Sequence, residues 1–187
     1  RRFPGQRGEP VSVEKAGQYR WVVCALLFFA TTVNYIDRQI LALIKEFLDA
    51  ELGWSNATFG WVNGAFQLSY AVGLLIFGWF VDRFGTKIGY ATSIVLWSIA
   101  AMSHALVGSV NGFFAARVFL GVSEGGNFPA AIKAVALWFP KKERAVATAI
   151  FNAGTNVGAI IAPAMIPAIA FTFGWRWAFV LAGLAGF

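Results

Sequence analysis

The chain has 187 residues, of which 58% are hydrophobic and 13% are charged, and its formal net charge is +6. Because a soluble domain usually carries about 25% charged residues, this composition indicates a membrane protein. The basic residues are scattered singly between apolar blocks, so nucleic acid is not predicted as a partner. One cysteine and one histidine supply neither a disulfide framework nor a metal site, and no cofactor is predicted.

The apolar residues form six blocks that are predicted to cross the membrane as helices. An α-helix needs about 20 apolar residues to cross about 30 Å of hydrocarbon, and its backbone is hydrogen-bonded internally. These spans, numbered 1 to 6, are predicted at residues 20–44, 56–81, 87–109, 112–138, 144–172 and 176–187, the sixth being incomplete. Short links predict antiparallel neighbours, so the predicted fold is an all-α membrane bundle preceded by a polar tail at residues 1–18.

The distribution of lysine and arginine predicts which end of the bundle faces the cytoplasm. One side carries the basic residues of the tail and of the links after spans 2 and 4. They are Arg1, Arg2, Arg7, Lys15, Arg20, Arg83, Lys87, Lys141, Lys142 and Arg144. The other side carries Lys45 and Arg176 beside an acidic first link. By the positive-inside rule the N-terminal tail is cytoplasmic.

Two short segments of spans 2 and 5 resemble each other and predict an internal repeat. Phe66-Gln67-x-x-Tyr70-x-Val72-Gly73 matches Phe151-Asn152-x-x-Thr155-x-Val157-Gly158 at an offset of 85 residues. Since three spans separate the copies, they have opposite orientations, as in the inverted repeats of secondary transporters. A chance match of two short segments is the alternative.

Four charged residues lie deep in the predicted spans, namely Asp37, Arg38, Arg117 and Glu124. A charge at the bilayer centre costs at least ~2.5–3.5 kcal/mol, so such groups face a cavity or one another. Arg117 and Glu124 share one helix face, and Asp37 lies at the depth of Arg117. We predict an Asp37–Arg117 ion pair with Glu124 in reach, in which the carboxylate that loses the arginine takes up a proton. A permanent ion-pair knot is the alternative.

Arg38 is then left without a fixed partner and is predicted to anchor an anionic substrate. Guanidinium binds carboxylate through two parallel hydrogen bonds, and tyrosine and amide side chains suit sugar hydroxyls. The residues predicted to line this cavity are Asn34, Tyr35, Gln67, Tyr70, Thr155 and Asn156. Gly125, Gly126 and Pro129 predict a kink beside Glu124. Lys133 is predicted to extend its charge to the cytoplasmic surface.

The segment from Gly78 to Lys87, Gly-Trp-Phe-Val-Asp-Arg-Phe-Gly-Thr-Lys, resembles the signature between helices 2 and 3 of the major facilitator superfamily. We predict that Gly78 allows close helix approach and that Asp82 and Arg83 latch a cytoplasmic gate. Gly85 and Lys87 complete the gate motif. Thr86 stands where the family usually has arginine, which weakens the latch.

Further segments are similar to the anion:cation symporter branch of this superfamily, and within it to bacterial hexuronate transporters. They are Asn34-Tyr35-Ile36-Asp37-Arg38, Arg117-x-x-Leu120-Gly121-x-x-Glu124-Gly125, Asn127-Phe128-Pro129-Ala130-Ala131-Ile132-Lys133, Trp138-Phe139-Pro140-Lys141-Lys142-Glu143-Arg144, Phe151-Asn152-Ala153-Gly154-Thr155-Asn156-Val157-Gly158 and Gly174-Trp175-Arg176-Trp177. The resemblance implies about twelve helices in two halves, of which this chain holds the N-terminal bundle.

The same resemblance implies proton-coupled import of sugar acids across the bacterial inner membrane by a monomer. It implies proton coupling through Asp37 and Glu124, substrate carboxylate on Arg38, and hydroxyl contacts from Tyr35 and Tyr70. Three alternatives stay open: another organic anion (aldonate, aldarate or phthalate-like), Na⁺ coupling, and export. A fourth is a sugar-acid sensor that transports nothing. An enzyme is not predicted, because one histidine and one cysteine assemble no catalytic set.

Overall fold

The computed structural model describes residues 17–187, which form helices joined by short turns, with no strand in that range. The helices are α1 (Tyr19–Leu43), α2 (Lys45–Leu52), α3 (Asn56–Phe84), α4 (Thr86–Ser103), α5 (Val110–Glu124), α6 (Asn127–Trp138), α7 (Arg144–Phe173) and α8 (Trp175–Ala185). A 3₁₀ turn, His104–Leu106, extends α4. The predicted tail, with four residues of the charge count, lies outside the described residues except for its last two positions.

Four helices are long and apolar enough to cross a membrane: α1, α3, α4 with its 3₁₀ turn, and α7. Predicted span 4 is not one helix, because α5 ends at Glu124 and α6 begins at Asn127. Gly125 and Gly126 form the break, and Pro129 lies in the first turn of α6, where a missing N–H costs no helical hydrogen bond. The predicted kink is therefore a two-residue break in which both glycines keep right-handed helical dihedrals. The all-α fold class is confirmed.

Helix pairing supports the predicted inverted repeat. α1 packs along α7, α3 packs along α5, and α4 packs against α8. If spans 1, 2 and 3 correspond to spans 4, 5 and 6, the α1–α7 pair (spans 1 and 5) corresponds to the α5–α3 pair (spans 4 and 2). The α4–α8 pair (spans 3 and 6) then corresponds to itself. The observed pairs are related in this way.

Matching small residues let the backbones of these pairs approach closely. A Cβ added to Gly73 on α3 would lie 2.9 Å from the Cα of Val122 on α5. A Cβ added to Gly158 on α7 would lie 2.8 Å from the carbonyl oxygen of Thr32 on α1. Gly73 and Gly158 are equivalent in the repeat, and small residues are typical of helix interfaces in membranes. A glycine at the equivalent position therefore lets the two helices of each pair come into backbone contact.

The two repeats also share a one-residue turn. Gly85 joins α3 to α4 with φ 89° and ψ 160°, and Gly174 joins α7 to α8 with φ 92° and ψ 150°. This region of backbone space is open essentially only to glycine. Each turn reverses the chain between two membrane helices without a longer loop.

We expect Gly85→Ala and Gly174→Ala each to destabilise the fold by about 1–3 kcal/mol, because a side chain strains this conformation. The midpoint of thermal unfolding of the detergent-solubilised full-length protein should fall for both. Gly60→Ala is the matched control, since a Cβ at this helical position meets nothing within 4 Å and alanine favours helix. An equal fall in the unfolding midpoint of Gly60→Ala would show that strain at Gly85 and Gly174 is not the cause.

The first link is not irregular, since α2 occupies most of it and buries Leu48. Its last turn is tied to the start of α8 through the Glu51 carboxylate. Trp175 Nε1 donates to Glu51 Oε2 at 2.6 Å, and Arg176 Nη2 donates to Glu51 Oε1 at 3.0 Å. The Trp175 hydrogen bond, helped by Arg176, lowers the pKa of Glu51 below its usual value. The link between spans 1 and 2 is thus fixed to span 6.

The lowered pKa of Glu51 predicts how the stabilisation from its bonds to Trp175 and Arg176 depends on pH. The stabilisation is complete above the ordinary glutamate pKa of about 4.3 and is lost as the pH falls through the lower pKa of folded Glu51. The unfolding midpoint of the full-length protein, measured from pH 7 to pH 3, should therefore fall on the acid side. Glu51→Gln should lower the midpoint at pH 7 and reduce the acid-side fall. Glu46→Gln, at an exposed position of α2, is the control that should retain it.

Candidate functional site

The central contact of the buried charges is an ion pair between α1 and the end of α5. Arg38 Nε donates to Glu124 Oε2 at 2.7 Å, with the Glu124 side chain fully buried and 25% of the Arg38 side chain exposed. The prediction that Arg38 has no fixed partner is therefore wrong. Asp37 and Arg38 are neighbours on a helix and point about 100° apart, so only one of them is directed at Glu124.

The predicted Asp37–Arg117 ion pair is also wrong, because no direct bond joins the two groups. Both side chains are buried, and neither the Asp37 oxygens nor the Arg117 guanidinium nitrogens have a hydrogen-bond partner among residues 17–187. Asp37 nevertheless lies within electrostatic range of Glu124, Arg117 and Arg38. In a medium of low dielectric constant such charges interact without touching. The four groups form one electrostatic cluster that is joined directly only at Arg38 and Glu124.

Aromatic rings of α3 surround the two arginines. The Arg38 guanidinium carbon lies 4.1 Å from the centroid of the Tyr70 ring and 5.6 Å from that of Phe66. The Arg117 guanidinium carbon lies 5.7 Å from the Phe66 centroid. These distances are in the range of cation–π attraction. Tyr70 was predicted as a site residue, whereas Phe66 was not, because its side chain offers no polar group.

The other residues predicted to bind substrate are more dispersed. Asn34 is buried, and Tyr35 is half-buried with its Cβ against Gly158. Thr155 donates to the Asn152 carbonyl oxygen of its own helix at 2.7 Å. Gln67 and Asn156 are exposed. Among the described residues, the contacts that converge on Arg38 come from Glu124, Tyr70 and Phe66.

The gate motif lies at the C-terminal end of α3 and contacts α6. Lys133 Nζ donates to Asp82 Oδ1 at 2.9 Å and to the Val81 carbonyl oxygen at 2.8 Å. Lys133 thus extends to that end of the bundle, as predicted, and its charge is bonded there to an exposed carboxylate. A lysine at the C-terminal carbonyls of a helix is favourable, and here the lysine comes from another helix. Arg83 and Lys87 are exposed at the same end.

Gly78 does not mediate the predicted close approach, because a Cβ there would meet nothing within 4 Å. It lines a groove between α3 and α6 together with Phe128 and Pro129. The close approach in this region occurs at Gly89 on α4, where a Cβ would lie 3.1 Å from the Cα of Val81. The glycine that brings α3 and α4 together therefore lies two residues after the motif.

Helix α4 bridges the break between α5 and α6. The Tyr90 hydroxyl donates to Asn127 Oδ1 at 2.9 Å, and Ser93 Oγ donates to the Ser123 carbonyl oxygen at 2.6 Å. One bond is made on each side of the break. Glu124 is therefore held at a fixed place although its helix ends there.

Residues 27–187 match the family model of the Major Facilitator Superfamily. The chain belongs to this superfamily. The match covers all the helices except the first turns of α1.

Two curated relatives are named for sugar acids. The chain is 36% identical to the "Hexuronate transporter" of Escherichia coli over 168 residues, which cover 90% of this chain and 39% of the relative. It is 35% identical to a "Probable galactarate/D-glucarate transporter" of Bacillus subtilis over 184 residues, which cover 94% of this chain and 40% of the relative. The chain thus spans about two fifths of the length of these relatives.

A solved structure shows the same fold. The chain matches the crystal structure of a bacterial homolog to the human lysosomal transporter Spinster, in an inward-facing and occupied conformation. The TM-score is 0.83 at 24% identity, covering 90% of this chain and 42% of the other. This likeness shows the fold. Membership of the superfamily, together with four helices long and apolar enough to cross a membrane, makes this a multi-pass membrane protein. The relatives are named as transporters, in agreement with the prediction that the chain is not an enzyme.

The Asp82–Lys133 pair can be tested by a double-mutant cycle in the full-length protein, with the unfolding midpoint as the measurement. Asp82 is largely exposed, so we expect a coupling of about 0.2–1 kcal/mol. Lys133→Ala should cost more than Asp82→Ala, because it also removes the bond to the Val81 carbonyl. Lys142→Ala, an exposed lysine at the same end, is the control. Additive effects in the cycle would contradict the pairing.

Proposed function

We propose that the chain forms one wall of a secondary active transporter that imports hexuronates or related sugar acids together with protons. In this proposal the other wall belongs to a C-terminal bundle of the same protein, which works as a monomer by alternating access in the bacterial inner membrane. The N-terminus is cytoplasmic. The single observation that carries the proposal is the Arg38–Glu124 ion pair inside the membrane region.

Arg38 is suited to bind the carboxylate of a sugar acid. Its side chain is partly exposed while its partner is fully buried, so a ligand can reach the cation but not the glutamate. Guanidinium offers five N–H donors in a planar fork that matches a carboxylate. The Tyr70 ring lies against the guanidinium at 4.1 Å and limits its orientations. A substrate carboxylate can therefore compete with Glu124 for Arg38.

This competition links substrate binding to proton binding. When a substrate carboxylate takes Arg38, the buried Glu124 carboxylate loses its directly bonded counter-ion. An uncompensated charge in such a place is costly, and uptake of a proton by Glu124 removes that cost. Asp37 and Arg117 lie within electrostatic range of the same glutamate. We assign Asp37 as a second proton carrier and Arg117 as the cation that balances it.

The remaining predicted residues complete the proposal. Hydroxyl groups of the sugar acid would be bound by Tyr35, Tyr70, Asn34, Gln67, Thr155 and Asn156. The cytoplasmic gate would be formed by Gly78, Asp82, Arg83, Gly85 and Lys87, with Lys133 bonded to Asp82. The relatives' names favour uronates, and they also favour the six-carbon diacids galactarate and glucarate as a second candidate class.

Replacing Arg38 tests the anchor. In proteoliposomes containing the full-length protein, uptake of labelled glucuronate should acidify the lumen, and Arg38→Ala should abolish glucuronate binding. Loss of charge-assisted hydrogen bonds of about 1.5–3 kcal/mol corresponds to at least a tenfold rise in Kd. Arg176→Ala is the control, since this arginine lies at the start of α8 and is paired with Glu51 rather than with the buried cluster. Uptake that is indifferent to a proton gradient would contradict proton coupling.

Replacing Glu124 tests the coupling. Glutamine keeps the shape of the side chain but neither accepts nor releases a proton, so Glu124→Gln should spare glucuronate exchange and stop uphill uptake. Exchange and net uptake are measured in the same vesicles. Glu51→Gln, a carboxylate outside the spans, is the control that should keep both. If Glu124→Gln retains uphill uptake, the Arg38–Glu124 pair is only structural.

A further inference from the structure

The Phe66 ring lies within cation–π distance of both arginines of the cluster. Its centroid is 5.6 Å from the Arg38 guanidinium carbon and 5.7 Å from that of Arg117. The Phe66 ring also stacks on Tyr70, with centroids 6.1 Å apart and an interplanar angle of 16°. The side chain is only 2% exposed. Phe66 therefore connects the partly exposed arginine with the fully buried one.

The position of Phe66 is fixed by its backbone. Its carbonyl oxygen accepts a hydrogen bond from Ser69 Oγ at 2.9 Å. A Cβ added to Gly121 on α5 would lie 2.6 Å from the same oxygen, so the two helices approach closely at this level. Gly121 lies between Arg117 and Glu124 on α5. The ring is thus held at a set distance from the helix that carries both charges.

An aromatic face provides what Arg117 lacks. The guanidinium nitrogens of Arg117 are buried and have no hydrogen-bond partner among residues 17–187. The face of a benzene ring carries partial negative charge and attracts a cation, most strongly where water is excluded. The ring of Phe66 is therefore a direct favourable contact of the Arg117 charge, and it acts on Arg38 at the same time.

We propose that Phe66 is a positioning residue whose ring stabilises the Arg117 cation and holds the Arg38 guanidinium against Tyr70. The effect on Arg117 requires no substrate. The effect on Arg38 rests on the proposed function, because it keeps the guanidinium oriented when the sugar-acid carboxylate replaces Glu124. Phe66 acts through the two arginines and touches no reacting group.

Fluorinated phenylalanines test the proposal at nearly constant side-chain volume. Phenylalanine with one, two or three ring fluorines is incorporated at position 66 of the full-length protein, because each fluorine weakens the negative face. Phe151 receives the same series as a matched control. It occupies the equivalent position of the second repeat, is fully buried, and has its ring against Phe128.

The first measurement is the midpoint of thermal unfolding without substrate. We expect the unfolding midpoint to fall stepwise with each fluorine added at position 66. At position 151 the midpoint should show no stepwise fall. The second measurement is the Kd of glucuronate, which should rise by about threefold to tenfold with three fluorines at position 66. Phe66→Leu, which keeps an apolar side chain without a ring face, should raise Kd at least as much.

The outcomes separate this proposal from the proposed function. An absent midpoint series at position 66, or the same series at position 151, overturns the cation–π contact whether or not sugar acids bind. A midpoint series with an unchanged Kd overturns the positioning role. If the unsubstituted protein does not bind glucuronate, the proposed function fails and the midpoint series still decides the contact with Arg117.

Discussion

A charged side chain at the centre of a bilayer costs at least ~2.5–3.5 kcal/mol on insertion scales, and this chain places four of them inside its spans. The bond between Arg38 and Glu124 at 2.7 Å offsets part of that cost for two of them. The bond requires α1 and the end of α5 to meet at one level, where the Tyr70 ring of α3 also lies against Arg38. Asp37 and Arg117 make no direct bond and depend on the field of the same cluster.

The architecture around this bond follows from the repeat. Equivalent glycines bring α3 into backbone contact with α5, and α1 into backbone contact with α7. The helices that carry the ion pair, α1 and α5, are therefore each packed closely against a neighbour. The break after Glu124 separates α5 from α6, and hydrogen bonds from Tyr90 and Ser93 on α4 hold the two sides of the break. The ion pair is therefore supported through contacts of α1 with α7, of α5 with α3, and of α4 with both sides of the break.

Most of the helices could be predicted because bilayer thickness fixes their length, and glycine with proline marked the interruption of span 4. The partners of the buried charges could not be predicted in the same way. Rise per residue gives the depth of Asp37 and Arg38, but it does not give the direction in which each points. Likewise a glycine in a motif, such as Gly78, does not reveal which neighbour approaches it. Phe66 was not predicted as a site residue, because an aromatic ring stabilises a cation without any polar atom.

Arg38 and Glu124 are separated by 86 residues in the chain. Synthesis at about 5–20 residues per second therefore delivers the glutamate roughly 4–17 s after the arginine. During that interval span 1 carries Asp37 and Arg38 without the acidic partner that it has in the finished fold. Insertion of these helices one at a time would leave the arginine exposed to lipid. The cost of placing Arg38 in the membrane is therefore offset by its glutamate only after span 4 has emerged.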